Sequence, residues 1–236
     1  MTTQPQLTVP GKTLDELYEI ADAALENALE AFPLGAPEGM AENKGWIGGL
    51  AMWLRAIECA EATLLLVRQG MGGAAWSTLR TGYECLFFAG ALWNKPENHT
   101  RLESNHHFER LKQVGELLKP GQIELLDEKT KQMLQELAAA DAGPHKGWSA
   151  QEAAKDAKLL TAYQWIYRGS SLAGAHGSQR SLDGHFKKLE DGTHEFSYEK
   201  NFMAAPIQVS WIAHLLVLGT NALKGHHQPS PPPNPE

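Results

Sequence analysis

Cysteine is scarce in this chain, with Cys59 and Cys85 the two among 236 residues. Both lie in apolar helical stretches, which favours two buried thiols in a reducing compartment over a bridge. Neither has a neighbouring feature that would lower a thiol pKa, so neither reads as a nucleophile. Basic charge is scarce as well: 21 Lys and Arg against 28 Asp and Glu leave a formal net charge of −7 at pH 7. That balance speaks against a broad nucleic-acid footprint, which needs clustered cations. The nearest basic stretch, His185 through Lys187 and Lys188, is short. Metal-ligand spacings are missing. The ten histidines form no His-Glu-x-x-His and no paired Glu-x-x-His pattern, and the adjacent His106 and His107 point in different directions on a helix. There is no glycine-rich phosphate loop and no repeat of fixed period. No metal and no cofactor are expected.

Residues 1–12 lack a basic region followed by an apolar run, so no secretory signal is expected and the location is expected to be cytoplasmic. One segment, 201–223, holds no Asp, Glu, Lys or Arg and is long enough to span a bilayer. Asn201, Gln208, Ser210, His214, Thr220 and Asn221 interrupt it, and polar groups at that density are costly in hydrocarbon. A buried core helix is expected there, not a membrane span.

What is present is helical periodicity. Thr13 and Glu16 make a capping box, followed by an apolar stripe from Leu14 to Phe32 that Pro33, Gly35 and Pro37 end. A second helix is predicted over 45–69, closed by Gly70, with Arg55, Glu58 and Glu61 on its wetter side. A third, over 73–93, is apolar nearly all round and is expected at the centre. Further helices are predicted over 98–118, over 122–140, from the Ser149/Glu152 capping box to Arg168 or beyond, and over 206–223. Asp191-Gly192 between Leu189 and Phe196 reads as a two-residue hairpin turn. The fold predicted is an all-α bundle of six or seven helices, with room for one short β-hairpin near 186–198. Its helical domain spans 12–225, between disordered tails at 1–11 and 226–236. A leftover apolar face on the second or last helix is expected to be covered in a homodimer.

Two polar constellations stand out. In the third helix only Arg80 and Glu84 are charged between Ala74 and Leu92, and a spacing of four puts them on one face. They read either as a structural ion pair or as a polar anchor lined by Trp76, Tyr83 and Phe87. The second runs from Tyr163 to His176. Tyr163, Tyr167 and Ser171 share one helical face, and His176 follows among small residues. Histidine can act as base or acid near neutral pH, while tyrosine and serine can orient a ligand. A buried aromatic stripe with a capping histidine is the alternative. The expectation is that these two elements face each other.

The run Leu64 to Gly70, then Ala74 to Glu84, then Trp93-Asn-Lys-Pro96 resembles a bacterial family of all-helical proteins of unknown function. There, a Leu-Arg-x-x-x-Glu helix is followed by a tyrosine-rich Ser…His-Gly segment, here Tyr163 to Gly177. Such families are grouped loosely with HEPN-type domains, whose ribonucleases use an arginine followed four to six residues later by histidine. Arg101…His106, Arg101…His107 and Arg180…His185 have such spacing, while Arg168…His176 is longer. Two functions follow. An RNA-processing or defence-type (toxin-like) protein would use His176 as base or acid and Arg168 or Arg80 on phosphate charge. A non-catalytic module binding a small molecule or another protein would use Arg80, Glu84, Tyr83, Tyr163, Tyr167 and Ser171.

Overall fold

The computed structural model describes residues 10–140, 146–175, 185–196 and 200–227. Helix α1 (Leu14–Ala31) starts at the Thr13/Glu16 box, where each side chain bonds the other's backbone amide. It passes into a 3-10 turn, Phe32–Leu34. Asn43 caps α2 (Lys44–Arg68) through the Trp46 amide. Gly70, at φ 71°, ends it in a Schellman arrangement: its N–H bonds Val67 and that of Met71 bonds Leu66. Next come α3 (Gly72–Asn94), α4 (His99–Leu117) and α5 (Glu128–Ala140). Ser149 and Glu152 form the second box, opening α6 (Ala150–Asp156). Helix α7 covers residues 160–175, with π-helical turns at Tyr163–Tyr167 and Ser171–Ala175. Strands β1 (Phe186–Lys188) and β2 (His194–Phe196) pair antiparallel before α8 (Ala205–His226). Among the described residues the architecture is all-α with one short hairpin.

Helix α3 is the axis of the bundle. It packs against α2 along its length, against α6 and α7 on another side, and against α8, which in turn carries α1. Leu79, Tyr83, Leu86, Phe87 and Leu92 are fully buried, each contributing about 1.5–3 kcal/mol. Glycine sets the closest approach in this core. A Cβ on Gly219 of α8 would lie 2.1 Å from the ring of Trp53, which has no exposed surface. Helix α8 is long and apolar enough to cross a membrane, with mean hydropathy 1.2 over 18 residues, yet 56% of that window is buried against its neighbours. It is a core helix in this fold.

Four details differ from the sequence expectation. Helix α5 starts at Glu128, not near 122, because Asp127 caps it by accepting from the Thr130 amide and hydroxyl. The helix predicted from 149 to 168 breaks after Asp156. Lys158 turns left-handed at φ 61°, its N–H bonding Lys155 while that of Leu159 bonds Ala154, a second Schellman closure. The break lets Ala157 sit against Gly90 of α3, where an added Cβ would be 2.9 Å away. The hairpin loop has three residues rather than two. Gly192 bonds back to Leu189 and Thr193 pairs with Leu189, with Gly192 left-handed at φ 85°. Finally, α8 runs on to His226. Trp46 and Trp93 flank the His226 ring at 5.1 and 6.5 Å, and the His227 ring approaches the Gly35 carbonyl.

A lysine in the left-handed region carries a backbone cost that glycine does not. Because Lys158 is exposed, Lys158→Gly is expected to stabilise the protein by about 0.5–1 kcal/mol after the unfolded-state entropy of glycine is counted. A lower melting temperature would refute this account of the break.

Candidate recognition site between α3 and α7

A spacing of four residues in an α-helix overshoots a full turn by about 40°, so a Tyr163, Tyr167, Ser171 row would drift around a regular helix. The wider π turns of α7 take up that overshoot. The row stays aimed at α3. Tyr163 and Tyr167 stack at 5.2 Å with 21° between their planes, and Phe87 of α3 touches both rings. Close docking is set further along, where a Cβ on Gly174 would lie 2.7 Å from the Gly73 carbonyl. The Ser77 hydroxyl donates to the Gly174 carbonyl there.

Arg80 and Glu84 meet this face. The Arg80 Nε–H donates to Ser171 Oγ at 2.9 Å, and Nη2 donates to the Tyr167 hydroxyl. The guanidinium also lies 4.3 Å from the Tyr167 ring centroid. Glu84 Oε2 accepts from the Tyr167 hydroxyl at 2.7 Å and pairs with Arg80 Nη1 at 3.2 Å. The Ser171 hydroxyl in turn donates to the Tyr167 carbonyl. Burial, reinforced by the bond to Glu84, holds the Tyr167 phenol well above its ordinary pKa. It is a fixed donor here and not a base. The Arg80 and Glu84 side chains keep 25% and 34% of their surface exposed, so the cluster can be reached from solvent.

The remaining sequence candidates lie elsewhere. Tyr83 points to α8, where its hydroxyl donates to the Trp211 carbonyl and contacts His214 Nδ1 at 2.9 Å. With the phenol proton committed to Trp211, Nδ1 is the donor and the neutral ring keeps its acceptor at Nε2. Trp76 packs on Trp211 at 5.4 Å. Arg168 is exposed and bonds Gln164 on its own helix, so it does not join Arg80. His176 and Arg180 lie outside the described residues. Arg101, half of the shorter Arg…His spacings, is tied to Asp156 and Glu152 and covers the Trp148 ring. Burial raises the thiol pKa of Cys59 and pushes that of Cys85 up to about 12. Among the described residues no three His, Cys, Asp or Glu side chains gather as a metal site. His214 was the residue missed by sequence reading. Its only signal was a histidine interrupting an uncharged apolar helix.

Removing the Tyr167 hydroxyl leaves a buried ring and strips one bond from each charged partner. Tyr167→Phe is expected to cost about 1–2 kcal/mol, read by denaturant unfolding, and a neutral result would mean the cluster contributes nothing to folding. Burial lowers the pKa of His214, and burial together with His227 lowers that of His226. Both folded-state values lie below the unfolded value near 6.5, so the fold favours neutral rings. Their contribution is complete above about pH 6.5 and is lost as pH falls through the lowered values. Melting temperature should therefore drop from pH 7 to 5, and a His214→Gln/His226→Gln protein should show a flatter profile. An unchanged slope would sink this assignment.

No curated protein and no solved structure matches the chain. Residues 47–194 match DUF5677, a family of unknown function. That span holds Arg80, Glu84, Tyr163, Tyr167 and Ser171, and it ends before α8. With well over half its length matched, the chain belongs to the DUF5677 family, whose function is unknown.

Proposed function

We propose that this protein is a non-catalytic recognition module, cytoplasmic in location, that binds a small ligand at the seam of α3 and α7. The observation that carries the reading is the fixing of Arg80. Ser171, Tyr167 and Glu84 hold its guanidinium in one orientation while leaving it partly open to solvent. Such preorganisation removes much of the entropy cost of binding. The two unpaired thiols fit a reducing compartment. An RNA-cleaving reading finds less support. Arg101 is engaged by two carboxylates, and the Tyr167 proton is held rather than offered for transfer.

A thermal-shift screen of small metabolites tests the proposal. A true ligand raises the melting temperature of the native chain, and the rise is expected to vanish in Arg80→Ala protein that retains its helical circular dichroism. A shift undiminished in both Arg80→Ala and Glu84→Ala would place the ligand elsewhere and end this reading. Purified protein is also expected to leave RNA intact. Cleavage that disappears in His176→Ala would replace the proposal with the nuclease alternative.

A further inference from the structure

Arg80 and Glu84 present a donor and an acceptor side by side. Arg80 Nη1 stands 3.2 Å from Glu84 Oε2. The guanidinium's hydrogen bonds to described residues leave instead from Nε and Nη2, toward Ser171 and Tyr167. Nη1 carries two hydrogens, and among the described residues it donates neither in a hydrogen bond. On the carboxylate, Oε2 accepts from Tyr167, whereas Oε1 accepts from none of the described residues. Both side chains keep exposed surface, so a ligand can reach the pair from solvent.

The pairing discriminates by charge. A bare anion would suit Nη1 but would meet the like charge of Glu84, and a bare cation would meet Arg80. A neutral planar edge with a carbonyl beside an N–H satisfies both, the carbonyl accepting from Nη1 and the N–H donating to Glu84. The same complementarity governs arginine and carboxylate contacts to base edges. Planar surface adjoins it at the partly exposed Tyr163 ring, which stacks on Tyr167, and at the Arg80 guanidinium, which covers the buried Tyr167 ring. Tyrosine rings and guanidinium planes are the surfaces on which unstacked bases rest.

We infer that the ligand is a nucleobase read by its lactam edge, O=C–N–H, as found in uridine and guanosine. Binding is non-covalent and requires no phosphate. The inference rests on the recognition reading above and names the ligand class of that site.

Titration calorimetry on the full-length chain tests it with uridine, guanosine, 3-methyluridine, inorganic phosphate and N-acetylglycine methylamide. Uridine or guanosine is expected to bind, and 3-methyluridine about tenfold or more weakly than uridine, because methylation removes the N–H that Glu84 accepts. Arg80→Lys and Glu84→Ala should each weaken nucleoside binding similarly. The methylated probe is used on the unaltered chain, so its outcome holds even where a variant fails to fold. Equal binding of uridine and 3-methyluridine overturns the inference, as does binding of phosphate or the peptide amide without any nucleoside. An Arg80-dependent ligand of another class would overturn the nucleobase inference while leaving the recognition reading intact.

Discussion

Between Ala75 and Trp93, α3 buries residues on nearly every side of its axis. From Cys85 to Trp93 it has no wettable face and has to be walled in, and the rest of the molecule is arranged to do so. Helix α2 lies along one flank, α8 along another, and the broken pair α6 and α7 completes the enclosure. Small residues mark the closest approaches. Gly82 meets Cys59 and Leu215, and Gly90 meets Ala157. Larger side chains there would push the walls outward and forfeit packing that costs a few kcal/mol per buried group to lose.

That enclosure makes Arg80 and Glu84 expensive. Charges on a core helix must be paired and hydrogen-bonded to persist, and α3 alone pairs them with the arginine first, the weaker order within a helix. Helix α7 supplies what is missing: a hydroxyl from Ser171, a hydroxyl and ring face from Tyr167. The π turns are the local adjustment that aims them. A regular helix would offset Ser171 from Tyr167 by about 40° around its axis, and the wider turns bring the two closer to one line. The cluster is nevertheless not sealed, since the Arg80 and Glu84 side chains keep part of their surface exposed.

Much of this is legible in the sequence. Both capping boxes, the Gly70 closure and the central place of α3 follow from residue type and spacing, because caps and apolar stripes are local in sequence. So is the shared face of Tyr163, Tyr167 and Ser171. The break at Lys158 is not. A lysine gives no turn signal, and the reversal is driven by fitting Ala157 against Gly90, a contact 67 positions away along the chain. The hairpin loop was misjudged for a smaller reason: Asp-Gly fits both a two-residue turn and the end of a three-residue one, and the register with Thr193 decides between them.

The two charged residues show the division most clearly. The sequence by itself determined that Arg80 and Glu84 share a face, that they are the charged exceptions in an apolar helix, and that a tyrosine row exists further along. Only the tertiary structure decided that Tyr167 and Ser171 are their partners, that Tyr83 turns to Trp211 and His214 instead, and that Arg168 faces solvent. Helical spacing fixes which residues are neighbours on one helix, since that geometry is set by the backbone. Which helix lies opposite, and at what rotation, depends on glycine contacts, π turns and a chain reversal summed over the whole fold.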